Sequence, residues 1–147
     1  MTIEQRIWES ALQTLNGSVR RALSWMHTKM GNAAWRFTYS IAAEASENID
    51  VTITARTPAD QPIEEVVTFF VELYDDAAGA ALNTDNYTIS ATTGEVLEVV
   101  ADKLLLVKTN ASGVAVIRFN ITGAATTFLR ARYPGGSGEY SAAVTHA

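Results

Sequence analysis

Hydrophobic and polar residues alternate with a period of two along most of the chain after residue 35. The clearest case follows Gly113, where Ala115, Ile117 and Phe119 are separated by residues of the opposite face. Since successive side chains of a β-strand point to opposite faces, this pattern predicts a half-buried strand over 114–121. The glycine before it can adopt the positive φ that a tight turn requires.

The same alternation predicts eight further strands. They cover residues 35–41, 51–56, 67–73, 86–91, 95–100, 103–108, 127–133 and 140–145. Short strands at this spacing, separated by turns such as 75–79 and 134–138, predict an antiparallel β-sandwich of seven to nine strands. The pattern leaves the topology of residues 77–102 open.

The beginning of the chain follows a helical pattern instead. Its apolar residues recur at alternating steps of four and three, and they are Trp8, Leu12, Leu15, Val19, Ala22 and Met26. The sequence Asn16-Gly17-Ser18 fits either one kinked helix or two short helices. The chain therefore divides into a predicted N-terminal helical attachment segment, residues 1–34, and a predicted β-sandwich domain, residues 35–147.

Composition argues against catalysis. The chain of 147 residues is 48% hydrophobic and contains no cysteine, which removes disulfides, thiolate nucleophiles and cysteine-bound zinc. Its two histidines are His27, on the predicted helix, and His146, next to the C-terminus, where fraying is expected. No nucleophile-elbow glycine pattern accompanies them. We therefore expect a non-enzymatic protein that needs no cofactor.

Acidic residues offer one candidate for a metal site. Asp75 and Asp76, together with Asp85 or Asp102, could supply oxygen ligands to calcium at one end of the sandwich. The spacing of an EF-hand is missing, however. The favoured interpretation is a solvated acidic turn, so no metal is predicted.

Charge is distributed unevenly along the chain. Residues 1–36 hold five basic and two acidic residues, a formal charge of +3, whereas residues 37–147 hold six and fourteen, a formal charge of −8. A basic segment with an apolar stripe is typical of docking onto an acidic or apolar protein surface. The candidate contact residues are Trp8, Leu12, Leu15, Val19, Arg20, Arg21 and Met26.

Other interpretations of the N-terminal segment stay open. Its heptad spacing could build a dimer or trimer, it could pack against its own domain, or it could lie on a membrane as an amphipathic anchor. The last is the least favoured, and no membrane span is predicted. Nucleic acid is not an expected partner because the acidic bulk of the chain would repel phosphates.

A second candidate contact lies on the outer face of the strands. If Phe69 and Leu129 point inward, then Phe70, Tyr74 and Phe128 point outward. Outward aromatic residues indicate a protein-binding patch. Alternatively, the N-terminal helix covers them.

Several segments resemble the invasin-type bacterial immunoglobulin-like domain over residues 48–145. They are the turn and strand from Thr109 to Phe119, Val51-Thr52-Ile53-Thr54-Ala55, Val67-Thr68-Phe69 and Phe128-Leu129-Arg130-Ala131-Arg132-Tyr133. In that family the domains serve as spacers, adhesive stalks or virion surface domains and carry no catalytic residues. The resemblance therefore implies an immunoglobulin-like fold and a structural role.

These observations together predict a structural protein of a bacteriophage virion, assembled in the host cytoplasm. A capsid decoration or head-surface protein is the first expectation, with other virion proteins and a second copy of itself as partners. A tail or baseplate component is the nearest alternative. A carbohydrate-binding or adhesin-like module is another, since Tyr87, Tyr133 and Tyr140 lie near predicted turns and could make weak glycan contacts.

Overall fold

The computed structural model describes residues 2–3, 36–132 and 138–147. The chain divides into two compact units between residues 33 and 34, and the fold described is that of the second unit. The predicted helical segment, with its docking residues and His27, lies outside the described residues. Tyr133 and most of the predicted turn at 134–138 lie outside them as well.

The described part is mainly β. Its strands are β1 (Arg36–Ile41), β2 (Asn48–Arg56), β3 (Thr68–Tyr74), β4 (Thr88–Thr93), β5 (Glu95–Val100), β6 (Leu104–Lys108), β7 (Val114–Asn120), β8 (Ala125–Arg132), β9 (Gly138–Tyr140) and β10 (Val144–His146). The alternation therefore located most strands to within a few residues. The predicted strand at 140–145 is instead interrupted, because the Ser141 hydroxyl accepts the Leu129 backbone N–H at 2.9 Å between β9 and β10.

The strands form two antiparallel sheets. The first sheet has the order β1-β2-β7-β4. The second has the order β10-β8-β3-β6-β5, and β9 pairs with β8 beside β10. The arrangement is a β-sandwich, as the alternation predicted, and β5 ends one side of the second sheet.

The core lies between the inner faces of the two sheets. On the first sheet, alternate residues of β2 and β7 are fully buried; on the second, alternate residues of β3, β6 and β8 are. The rings of Phe37 in β1 and Phe69 in β3 join the two sheets, with their centroids 4.7 Å apart. Burying side chains from both sheets is the main stabilising contribution to such a sandwich.

The turn before β7 is closed by side chains as well as by a glycine. The Asn110 Oδ1 accepts the backbone N–H groups of Ser112 and Val114 at 2.9 and 3.1 Å. Gly113 has a φ of 73°, and a Cβ there would lie 2.0 Å from the carbonyl oxygen of Ile63. The predicted requirement for glycine at this position is therefore confirmed.

Residues 77–102 resolve into a strand of each sheet. β4 pairs with β7 in the first sheet, and β5 pairs with β6 in the second. The chain crosses from one sheet to the other at Gly94, whose φ is 77° and whose missing Cβ leaves room for the carbonyl oxygen of Lys108. This crossing, which the sequence pattern left open, places β5 at the edge of the second sheet.

A tyrosine joins the edges of the two sheets. The Tyr39 hydroxyl, from β1, accepts the Ala131 backbone N–H at 2.8 Å and donates to the Glu139 carbonyl oxygen. Burial is the main cause that raises the pKa of this hydroxyl far above its ordinary value. Tyr39 thus satisfies backbone groups of β8 and β9 from the opposite sheet.

Candidate functional site

The first sheet presents a polar outer face. The outward positions of β2 and β7 carry mostly polar side chains, and they are Asn48, Asp50, Thr52, Thr54, Val114, Val116, Arg118 and Asn120. Asp50 and Arg118 lie directly opposite each other and form two hydrogen bonds of 2.7 and 2.9 Å. The Arg118 guanidinium holds the pKa of the Asp50 carboxyl below its usual range. A face of this kind is well suited to contact with water.

The second sheet presents an apolar outer face. It is formed by Phe70, Tyr74, Leu97, Leu104, Leu106 and Phe128, which we call the apolar outer face. The register places Leu97 opposite Leu106, and Leu106 opposite Phe70, so apolar side chains cross three adjacent strands in one row. Such a row on the outside of a sandwich is a candidate protein-interaction surface.

Charged residues within this face are paired with one another, and Glu72 lies between Phe70 and Tyr74 on β3. Arg132 forms an ion pair with Glu72, and the Lys108 Nζ lies 2.9 Å from the Glu95 Oε1. The Arg130 guanidinium lies 5.2 Å from the centre of the Tyr140 ring, within the range of a cation–π contact. Pairing of these charges lowers the cost of bringing an apolar partner against the face.

The predicted outward aromatic residues differ in how much they expose. Phe70 and Phe128 are half-buried. Tyr74 is 9% exposed, because its hydroxyl donates to the Glu72 carboxylate and its ring packs against Tyr140 with the centroids 5.9 Å apart. Tyr74 therefore packs against neighbouring side chains of the face and contributes little exposed surface to it.

Sequence reasoning missed the leucines of the same face. Leu104 and Leu106 alternate with buried Leu105 and Val107, so their outward position is readable from the period of β6. The placement of Leu97 depends on the pairing of β5 with β6, which the sequence does not reveal. It is 62% exposed and is the most exposed of the three.

Two shallow depressions flank the leucine row. One of about 250 Å³ is lined by Glu72, Tyr74, Leu82, Val100, Lys103 and Leu104. The other, of about 290 Å³, is lined by Thr68, Glu95, Val96, Leu97, Leu106 and Lys108. Each is smaller than a typical small-molecule site but large enough to accept a protruding side chain of a partner protein.

The acidic turn residues close loops of the chain itself. The Asp76 carboxylate accepts the backbone N–H groups of Ala78, Ala80 and Ala81, and these bonds lower its pKa. Asp75 accepts from the backbone and hydroxyl of Thr84 at 3.0 and 2.8 Å. These carboxylate oxygens accept hydrogen bonds from the loops that follow them and stabilise those loops.

His146 corrects an expectation. It was expected to fray, yet it is 1% exposed because β10 pairs with β8 and carries the side chain into the core. Its Nε2 lies 3.2 Å from the carbonyl oxygen of Phe119, a geometry in which that nitrogen carries the proton and donates it. The ring packs on Tyr87, with the centroids 5.7 Å apart. This histidine is part of the core.

Tyr87 is also a core residue. It is 7% exposed and meets Phe119 edge to face, with the centroids 5.7 Å apart. Burial, with a contribution from the nearby carboxylate of Asp85, raises the pKa of its hydroxyl far above the ordinary value. Its ring is therefore unavailable for stacking on a sugar.

Within the described part of the chain, no three His, Asp or Glu side chains are placed to hold a metal ion together. Among the same residues there is no helix with the length and hydropathy of a membrane span.

No protein-family model, curated protein or solved structure matches the chain.

Proposed function

We propose that the chain is a non-enzymatic structural protein that docks onto other proteins through the apolar outer face of an immunoglobulin-like sandwich. The contrast between the outer faces of the two sheets carries this proposal. The outward residues of the first sheet include an ion pair and several threonines. Those of the second also include an ion pair, Arg132–Glu72, but they add a row of apolar side chains, Phe70, Leu106 and Leu97. One-sided apolar surface on a sandwich is typical of a protein-protein contact.

The strand order supports the immunoglobulin-like part of the proposal. In the constant-type immunoglobulin fold, strands A, B, E and D form one sheet and strands C, F and G form the other. The order β1-β2-β7-β4 corresponds to A-B-E-D, and β3, β8 and the β9–β10 pair correspond to C, F and G. The β5–β6 hairpin is then an insertion between D and E that widens the second sheet.

The insertion and the apolar outer face coincide. β6 contributes Leu104 and Leu106, and β5 contributes Leu97, so half of the six residues of the face come from the added hairpin. In this proposal the hairpin extends a generic sandwich into a docking platform. The other eight strands form the scaffold that holds the hairpin. With β9 and β10 counted as one strand, they match the seven strands of the constant-type immunoglobulin fold.

The particle we propose is a bacteriophage virion, with the chain as a capsid decoration or head-surface protein. The support for this location is the resemblance of the segments around Gly113 and β7 to virion-associated immunoglobulin-like domains, together with a surface suited to a protein partner. A tail or baseplate position would use the same surface. The glycan-binding alternative is less well supported, since Tyr87 is buried and Tyr140 is 36% exposed with Arg130 over its ring.

The test is a binding experiment with particles of the virus that encodes the chain, prepared without it. Full-length Leu106→Lys places a charge in the apolar outer face, and full-length Thr52→Lys places the same charge on the polar outer face of the first sheet. We expect Leu106→Lys to lose cosedimentation with the particles and Thr52→Lys to keep it. Particles lacking the chain should also be less stable to heat.

Two results would overturn the proposal. One is the absence of the chain from purified particles by mass spectrometry. The other is equal particle binding by the Leu106→Lys, Thr52→Lys and unmodified proteins, all verified as folded by circular dichroism.

A further inference from the structure

β5 ends the second sheet with an open edge. It pairs with β6 on one side, and within the described residues no strand pairs with its other side. The backbone N–H and C=O groups that face away from β6 therefore form a row of donors and acceptors. The chemistry that satisfies such a row is another extended backbone.

The side chains of this edge are apolar and exposed. Leu97 is 62% exposed, Val99 50% and Val100 48%. Natural edge strands are commonly guarded by lysine or proline, and β5 contains neither. Two other features of β5 oppose pairing with a further strand. They are its two glutamates and the bulge at Val99, where the register with β6 shifts between Glu98 and Val100.

The two glutamates are engaged with the chain itself. The Glu95 carboxylate pairs with Lys108, and the Glu98 Oε1 accepts the backbone N–H of Asp102 at 3.2 Å. These contacts reduce the repulsion that a second acidic edge would otherwise meet. The bulge at Val99 prevents another strand from pairing along the whole length of β5. Residues 95–98 remain regular and accessible for pairing.

We propose that β5 pairs antiparallel with β5 of a second copy, with the two-fold axis at Leu97, so that the second sheets of two molecules become one continuous sheet. Within the regular part of the edge this register places Val96 opposite Glu98, and it sets Glu95 across from the bulge at Val99. Registers centred on Glu95 or Glu98 would set identical carboxylates against each other, which is destabilising. A register centred on Val96 would bring Gly94, with its φ of 77°, into the ladder.

An association of this kind forms a closed dimer and no larger assembly. A two-fold pairing uses the same edge of both copies, so it stops at the dimer. The regular part of the edge is short, and we expect a weak interface with a dissociation constant of about 10–500 µM. The inference rests on the geometry of β5, and its failure would leave docking through the apolar outer face untouched.

The first test is the self-association of the full chain, measured by sedimentation equilibrium over a wide range of concentration. We expect a monomer–dimer equilibrium whose dissociation constant rises about tenfold or more in Leu97→Lys, since two lysines would then meet at the axis. Val66→Lys is the matched control, because Val66 is 47% exposed and lies outside β5. It should dimerise like the unmodified protein.

A cross-linking experiment locates the contact. The chain has no cysteine, so single-cysteine variants report one position each. Opposite residues of antiparallel strands have Cα atoms about 4.5–5.5 Å apart, within the range of a disulfide. We expect Leu97→Cys to form a disulfide-linked dimer under mild oxidation several times faster than Glu98→Cys or Val66→Cys.

A chain that stays monomeric at about 500 µM would overturn the inference. So would a dimer that Leu97→Lys leaves intact, or one that cross-links no faster through position 97 than through position 66, since its contact would then lie on another surface.

Discussion

The inner faces of the two sheets line the same core, but their outer faces differ. Across the first sheet, Asp50 of β2 meets Arg118 of β7 in a two-pronged ion pair. Across the second, Phe70 of β3 meets Leu106 of β6 at the equivalent outward positions. The same alternation of residues therefore produces a mostly polar face on one sheet and, on the other, a row of apolar side chains beside paired charges; the difference marks where we propose that the molecule meets a partner.

Inward and outward positions of the second sheet are under different physical demands. Inward positions determine most of the stability of the fold, whereas substitutions at exposed outward positions usually change it little. In β6 the outward Leu104 and Leu106 are apolar although their inward neighbours Leu105 and Val107 are already buried in the core, and the exposed Leu97 of β5 lies opposite Leu106. Because these leucines lie outside the core, and Leu97 is exposed, we assign them to recognition.

The largest expected effect comes from truncating one of two adjacent phenylalanines that point to opposite faces of β3. Phe69→Ala empties a fully buried site in contact with Phe37, so we expect a loss of about 3–5 kcal/mol in the free energy of unfolding. Phe70→Ala, on the outer face, should cost about 1–2 kcal/mol because the side chain is half-buried. Urea denaturation of both variants and of the unmodified protein measures these differences in the free energy of unfolding. Equal losses would mean that the outer face is part of the core.

This inward–outward division is the part of the fold that the sequence predicts well. The period of two placed Val67, Phe69, Val71 and Leu73 on one buried face, and all four are at most 2% exposed. Alternation carries this information because a strand has a fixed geometry. It does not say which strands are neighbours, so the row from Leu97 through Leu106 to Phe70 could be seen only once the register was known.

The second prediction concerns the end of the chain, where β10 closes the edge of the second sheet. His146→Ala removes a buried ring and its hydrogen bond to the Phe119 carbonyl, so we expect a loss of about 2–3 kcal/mol. Thr145→Ala is the control, since Thr145 is exposed in the same strand. Thermal unfolding of both variants checks this, and a negligible effect of His146→Ala would restore the expectation of a frayed terminus.

The error about His146 has a physical reason. Chain ends fray unless they are tied down, and position alone says nothing about such ties. The signal that could have found it is the alternation Val144–Thr145–His146, in which the first and third residues are buried. The predicted strand at 140–145 ends one residue before His146, and the three residues of β10, which follow the interruption at Ser141, are too few for alternation to show where β10 ends.

The third prediction tests how the two sheets are joined at one edge. Tyr39→Phe leaves the Ala131 N–H and the Glu139 carbonyl without the hydroxyl that lies between them, and we expect a cost of about 1–2 kcal/mol. Tyr140→Phe is the matched control, because that hydroxyl lies 3.4 Å from the Ala78 carbonyl oxygen on a partly exposed side chain. Its loss should cost less than about 0.5 kcal/mol. Faster amide exchange at Ala131 in Tyr39→Phe would locate the effect.

The smallest expected effect lies on the polar outer face of the first sheet. Asp50 and Arg118 are both partly exposed, so a double-mutant cycle with Asp50→Asn and Arg118→Gln should give a coupling of at most about 1 kcal/mol. Because the folded pKa of Asp50 lies below its ordinary value of 3.8, the coupling is fully present above that value and is lost as the pH falls through the folded pKa.

The pH dependence of this coupling separates the two faces. Cycles measured by urea denaturation at pH 7 and near pH 2 should differ for Asp50 and Arg118, whereas a cycle between Phe70 and Leu106 contains no titrating group and should give one value at both. A coupling between Asp50 and Arg118 that persists at low pH would mean that these side chains interact through packing. The first sheet's outer face would then resemble the second, and the contrast that carries the proposed function would lose its physical basis.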